Sequence, residues 1–132
     1  MVPRSRWFAL AVLAGLLICL CGSQPLSAQN SNVTITLSMG SNGSCTQNGS
    51  TAVIDVKTNQ TATYVGPTST TPFQVTFSST SCPFNTCTIT GSTGAQSPKS
   101  GTAGNTYSYT GITINGQSCS NGAGLMIRVK TP

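Results

Sequence analysis

Apolar and polar residues alternate with a period of two along most of the chain after residue 32. In the segments NVTITLSM, FQVTFS and LMIRVK every second position is apolar, which is typical of strands that bury one face. Phe73, Val75 and Phe77 share the face that we expect to point into a core. Stretches rich in Gly, Asn, Ser and Pro separate the segments and mark turns. About seven or eight short strands in about 100 residues predict an all-β protein, by default an antiparallel β-sandwich.

Two details of the pattern predict local features of the sheets. The segments TAVIDVK and TATYV flank a short KTNQ turn, which predicts a β-hairpin. In NTYSYTGITIN the parity of the apolar positions changes at Gly111. A glycine at such a change predicts a bulge or bend.

The first 28 residues have the layout of a secretory signal peptide. Arg4 and Arg6 form a basic start, an apolar run follows from about residue 7 to 21, and small residues end at Ala28. The run is shorter than the about 20 residues of a membrane span, so cleavage is favoured over a retained anchor. Large residues before the cysteines of the run disfavour lipidation. We therefore predict a signal peptide at residues 1–28, a single β-sandwich domain at residues 29–132, and no transmembrane segment after cleavage.

The predicted mature chain is almost uncharged. It has one acidic side chain, Asp55, and four basic ones, Lys57, Lys99, Arg128 and Lys130. A nucleic-acid surface needs clustered bases, whereas these four are scattered along the sequence, so nucleic acid is not an expected partner. Solubility must depend on Ser, Thr, Asn and Gln, which predicts a neutral surface with little electrostatic steering.

Few residues could carry catalysis. The chain has no histidine, and Asp55 is its only acidic side chain. A nucleophile needs a base within hydrogen-bond reach, and glycosidases of the usual kind need two carboxylates. We interpret Asp55 as a solvated surface carboxylate, and Tyr64, Tyr107 and Tyr109 as core or rim aromatics instead of a sugar platform. We predict a non-enzymatic protein without catalytic residues and without a cofactor.

The order of the segments resembles that of the cupredoxins. AVIDVKTNQTATYVGPTSTTPFQVTF has a strand, a tight turn, a strand ending in an aromatic, a loop and then Phe-x-Val-x-Phe, where the family has His-x-Val-x-Phe. YSYTG followed by GLMIRV is similar to the C-terminal end of the family, where Tyr-x-Tyr-x-Cys precedes the metal loop and a final strand. The resemblance covers residues 33–130. It implies a cupredoxin-like, Greek-key β-sandwich of seven to eight strands.

The resemblance assigns the type 1 copper ligands to positions that lack them. The first histidine ligand falls on Phe73, the cysteine ligand on Gly111, and the second histidine within Asn115–Ala123, but the chain has no histidine. A blue-copper centre needs two imidazoles and a thiolate. The resemblance therefore implies a cupredoxin-like domain without type 1 copper.

Four cysteines follow the signal peptide: Cys45, Cys82, Cys87 and Cys119. An even number in a small exported domain predicts two disulfides. A zinc site is the alternative, but the spacing lacks a Cys-x-x-Cys pair. The close spacing of Cys82 and Cys87 favours a small closed loop. The cupredoxin resemblance places the loops of Cys45 and Cys119 at one rim, and so implies a Cys45–Cys119 bridge where copper would bind.

These observations predict an exported protein, secreted or periplasmic, of a kind typical of bacteria. We expect a non-enzymatic binding or cell-surface structural module, whose partner is a cell-surface component or another protein. The alternative is a metal-handling protein. Met39 and Met126 are weak candidates for its soft Cu(I) ligands, although methionines at strand ends also fill gaps in cores.

Overall fold

The computed structural model describes residues 31–132, which form nine strands and one short 3₁₀ helix. The predicted signal peptide, residues 1–28, lies outside the described residues. The elements are β1 (Val33–Met39), β2 (Cys45–Gln47), β3 (Ile54–Lys57), β4 (Ala62–Val65), β5 (Phe73–Phe77), β6 (Thr88–Thr90), β7 (Thr106–Ile114), β8 (Gln117–Ser118), the 3₁₀ helix (Gly122–Gly124) and β9 (Met126–Lys130). The predicted all-β class is confirmed. The count exceeds seven to eight because β2 and β8 lie in segments that we predicted to be loops. No helix within residues 31–132 has the length and apolarity needed to cross a membrane.

The strands form two sheets that enclose one core. One sheet has the order β2-β1-β4, and the other runs β3-β9-β7-β5-β6, with β8 also paired to β7. Most neighbours are antiparallel, but β1–β4 and β3–β9 are parallel. Parallel neighbours need crossover connections, and the chain makes both of these by passing through the opposite sheet. The sandwich is therefore mixed, and the expectation of an antiparallel one was wrong for these two pairs.

The predicted hairpin between the segments before and after KTNQ does not form. Its two strands, β3 and β4, belong to different sheets. In the turn between them, the Lys57 N–H donates to Gln60 Oε1 at 2.9 Å, and the Gln60 N–H donates to the Lys57 carbonyl at 2.9 Å. Val56 and Ala62 are fully buried in the shared core. The alternation identifies the inward face of each strand, but it does not tell whether the next strand lies beside it or across the core.

The core lies between the sheets and contains the inward positions of both. Phe73, Val75 and Phe77 are all buried, as predicted. The ring of Phe77 lies 4.9 Å from that of Tyr109 and 5.9 Å from that of Phe84, measured between centroids. Edge and tilted contacts of this kind add to the free energy gained by burying the rings.

A β-bulge interrupts the pairing of β5 with β7. Thr76 lies opposite Gly111, but Phe77 lies opposite Tyr109, so Thr110 is the extra residue. The bulge lets the apolar residues on both sides of it face the core. The prediction of a bulge is confirmed, with the extra residue directly before the glycine.

Candidate functional site

A chain of buried polar side chains links the two sheets. The hydroxyls of Tyr64 and Tyr109 are 3.2 Å apart, and the Tyr109 hydroxyl donates to Gln47 Oε1 at 2.8 Å. Gln47 Nε2 donates to the carbonyls of Ala52 at 2.8 Å and Met126 at 2.7 Å. Gln47 is fully buried, so its amide finds its hydrogen-bond partners inside the core. The network ties β2 and β4 of one sheet to β7 and β9 of the other.

The three tyrosines are core residues. Tyr64, Tyr107 and Tyr109 are all buried, so none presents a free ring face as a sugar platform would require. Burial raises the pKa of Tyr64 well above its ordinary value, and interaction with Tyr109 raises it further. Burial also raises the pKa of Tyr109, because a phenolate inside the core would lose its hydration. Tyr64 and Tyr109 therefore remain neutral hydrogen-bonding groups in the folded protein.

Two disulfides form with the predicted pairings. Cys45 bonds to Cys119 and Cys82 bonds to Cys87, with Cα–Cα distances of 5.5 and 5.6 Å. Asn121 reinforces the first bridge. Its Oδ1 accepts from the Cys45 N–H at 2.6 Å, and its Nδ2 donates to the Cys45 carbonyl at 2.9 Å. The amide side chain thus covers part of the outer edge of β2, which needs protection because edge strands invite pairing with other chains.

The positions that the resemblance assigns to copper ligands do not come together. Phe73 pairs with Ile114, whereas Gly111 pairs with Thr76, three residues further along β5. Three strand residues span about 10 Å. The third position, within residues 115–123, lies in the turn before β8, in β8 itself, in the segment that follows and in the start of the 3₁₀ helix.

Met39 and Met126 face different surfaces. Met39, at the end of β1, packs against the margin of the core. Met126 lies between the buried residues Leu125 and Ile127, so its side chain points to the outer face of its sheet. Alternation therefore places Met39 on the inward side of its strand and Met126 on the outward side of its own. Within residues 31–132, no group of three or more His, Cys, Asp or Glu side chains is placed to hold a metal.

Two surface recesses are lined by uncharged polar side chains together with apolar ones. The first, of about 410 Å³, lies between the end of β1 and the tip of the β7–β8 hairpin, and its lining includes Ser38, Met39, Asn115 and Gln117. The second, of about 430 Å³, lies between the β4–β5 loop and the end of β6, where Ser and Thr residues surround Phe73. Hydroxyl and amide groups can donate and accept hydrogen bonds, so both recesses offer such groups beside apolar contacts.

Three of the four bases of the predicted mature chain meet on one surface. β3 and β9 are parallel, with Asp55 opposite Arg128 and Lys57 opposite Lys130. Their apolar neighbours face the core, so alternation places all four charged side chains on the outer face of the sheet. The interpretation of the bases as scattered was wrong in three dimensions. We call Asp55, Lys57, Arg128 and Lys130 the charged strip.

Asp55 lies at the centre of the charged strip and is ion-paired to two of its bases. Arg128 Nε and Nη2 donate to the two carboxylate oxygens at 2.8 and 3.1 Å, and Lys130 Nζ lies 2.5 Å from Oδ2. The hydrogen bonds from Arg128 and Lys130 lower the pKa of Asp55 to about 2. The expected surface position of Asp55 agrees with the structure, but the carboxylate is paired and only 36% exposed. Neither salt bridge within residues 31–132 involves Lys57, which leaves its ammonium group to face solvent.

The chain matches no family model, no curated protein and no solved structure. Its function is therefore inferred from the features above. The recesses offer neutral hydrogen-bonding groups, and the charged strip offers concentrated positive charge on a surface that is otherwise almost neutral.

Proposed function

We propose that the chain is an exported, non-enzymatic β-sandwich that binds a cell-surface component or forms part of the cell surface. We also propose that the domain is cupredoxin-like, with Greek-key connections, and lacks type 1 copper. The two disulfides support export, because such bridges persist in oxidising compartments. They are compatible with both an extracellular and a periplasmic location.

The state of Asp55 is the observation that carries the proposal. Asp55 is the only acidic side chain in the chain, and both of its oxygens accept hydrogen bonds from Arg128 or Lys130. Efficient general acid–base catalysis favours a pKa near the working pH, whereas the pKa of Asp55 is lowered to about 2. The carboxylate is therefore suited to organising surface charge and poorly suited to proton transfer.

The outer face of the larger sheet offers an uncharged polar surface beside the charged strip. Gln74 lies opposite Thr90 and Thr113, and Thr76 lies opposite Thr88. Side chains at these positions alternate with buried ones and point away from the core. Such a face can form many neutral hydrogen bonds, which supports a binding or structural role.

Co-sedimentation with envelope fragments of the producing cells tests the proposal. We expect the exported chain to bind saturably and to release no soluble products, while a reduced and unfolded sample serves as the control. Release of fragments in proportion to the amount of chain, abolished by Asp55→Asn, would show that the protein is an enzyme.

Metal handling through Met39 and Met126 is the alternative, and it would require both thioethers to reach the same surface. Metal analysis of the purified chain separates the two functions. Stoichiometric copper in the wild type, lost from the Met39→Leu/Met126→Leu double variant, would overturn the proposal of a binding module.

A further inference from the structure

We propose that the charged strip binds an acidic polysaccharide. This inference rests on the proposed binding function and specifies the class of partner. Residues 31–132 contain five charged side chains, and four of them belong to the strip, while the fifth is Lys99. On a surface with so few charges, this strip dominates the electrostatic potential and determines where an anion approaches.

Without a bound ligand, the repulsion between charges in the strip destabilises the fold. Lys57 and Lys130 are register partners on adjacent strands, and like charges placed directly opposite each other are destabilising. Asp55 offsets part of this repulsion, but the strip keeps an excess of two positive charges. An anionic ligand that contacts both lysines would relieve the remaining repulsion.

The neighbouring side chains favour a sugar polymer over other polyanions. On the adjacent strand β7, Thr106 lies opposite Arg128 and Ser108 lies opposite Met126, and both hydroxyl residues are exposed. An acidic polysaccharide carries carboxylates or sulfates at intervals and sugar hydroxyls between them. The lysines can therefore bind its charges while Thr106 and Ser108 bind its hydroxyls.

Nucleic acids and membranes fit this surface less well. Binding of single-stranded nucleic acid uses exposed aromatic rings for base stacking, and recognition of anionic lipids uses clusters of about four to eight bases or an apolar insertion. The strip has three bases, and the exposed large hydrophobic residue of the described segment is an aliphatic one, Val53.

Asp55 gives the proposal a test in which two kinds of substitution act in opposite directions. Asp55→Asn removes the negative charge and raises the excess of positive charge from two to three, so it should strengthen binding to a polyanion. Lys57→Gln or Lys130→Gln, made singly, lowers the excess of positive charge from two to one and should weaken binding. Lys99→Gln removes the same charge outside the strip and is the matched control.

The assay is binding of the exported chain to soluble alginate, a polymer of carboxylated sugars, between about 50 and about 200 mM salt. Neutral dextran, duplex DNA and anionic phospholipid vesicles are the comparison ligands. We expect salt-sensitive binding to alginate that is stronger than binding to each of the three comparison ligands. The slope of log affinity against log salt is negative, and its magnitude should decrease by up to about 1 for each lysine removed. Lys99→Gln should match the wild type. Near-UV circular dichroism confirms that each variant is folded, and Lys57→Gln is the least disruptive because Lys57 is outside both salt bridges.

Several results would overturn the inference. One is an equal loss of alginate affinity in Lys99→Gln and Lys57→Gln. Another is weaker alginate binding by folded Asp55→Asn. The third is an affinity for DNA or vesicles that equals the affinity for alginate. If the chain sediments with envelope fragments but does not bind alginate, the proposed function stands and this inference fails. A chain that binds alginate by the expected pattern but fails to sediment with the envelope fragments keeps the charged strip as an alginate-binding surface and loses the proposed cell-surface partner.

Discussion

Replacing Gln47 by alanine should destabilise the fold more than its place in a three-residue strand suggests. The change leaves the Tyr109 hydroxyl without its acceptor, and the carbonyls of Ala52 and Met126 without their shared donor. A buried polar group left without a partner costs about 1–3 kcal/mol. Relaxation and entry of water recover part of the sum over three groups, so we expect a loss of about 3–5 kcal/mol in the free energy of unfolding.

Urea unfolding of the oxidised chain measures this loss, and the sequence offers a matched control. Gln74 is the same residue type on an exposed position of β5, so Gln74→Ala should cost less than about 1 kcal/mol. Small domains have a stability of about 5–15 kcal/mol, so a loss of about 3–5 kcal/mol leaves the Gln47→Ala variant folded over most of this range.

A double-mutant cycle with Tyr109→Phe tests whether the two side chains act as a unit. Residues that share a hydrogen-bond network show coupling energies of about 0.5–3 kcal/mol. A Gln47→Ala variant as stable as Gln74→Ala, or a cycle with no coupling, would refute the buried network between the sheets.

Three further predictions concern the core, the response to alkali and the N-terminus. Phe77→Ala removes a ring packed against two others and should lower the free energy of unfolding in urea by about 3–5 kcal/mol. Thr76→Ala on the outer face should lower it by less than about 1 kcal/mol. Equal losses would mean that the inward face is misassigned. Because the folded-state pKa values of Tyr64 and Tyr109 are raised, the unfolded chain releases these protons first, so stability is full below about pH 10 and falls as the pH rises further. Urea midpoints measured between about pH 8 and about pH 11 check this, and a midpoint independent of pH above 10 would contradict it. Mass spectrometry of the exported protein should find Gln29 at its N-terminus, and a membrane-bound chain that retains its leader would disprove the predicted cleavage.

The alternation in the sequence predicted the inward face of each strand but not which strands lie next to each other in the sheets. It placed Phe73, Val75 and Phe77 in the core correctly, because burial of one face needs only local spacing. It could not place β3 beside β9, because that parallel pairing joins residues 73 apart. For the same reason the charged strip was missed, although the outward direction of Asp55 and Arg128 could be read from their apolar neighbours.

The buried network was missed for a different reason. Gln47 lies in a stretch of Gly, Asn and Ser residues that is typical of a loop, and a glutamine there predicts exposure. The one available signal was its spacing of two from Cys45, which puts both residues on the same face of a short strand. A buried amide is stable only when its partners are present, and those partners come from β9, β7 and the loop before β3.

The position of β9 within its sheet also bears on the order in which the strands can pair. β9 comes late in the chain but lies inside the sheet, between β3 and β7. Until residues 126–130 are available, β3 has no neighbour in its sheet and the Met126 carbonyl cannot accept from Gln47. Contacts that join such distant parts of a chain form slowly, because a long loop must close first. The pairing of β3 and the hydrogen bond from Gln47 to Met126 therefore form only after the part of the chain that carries β9 has been synthesised.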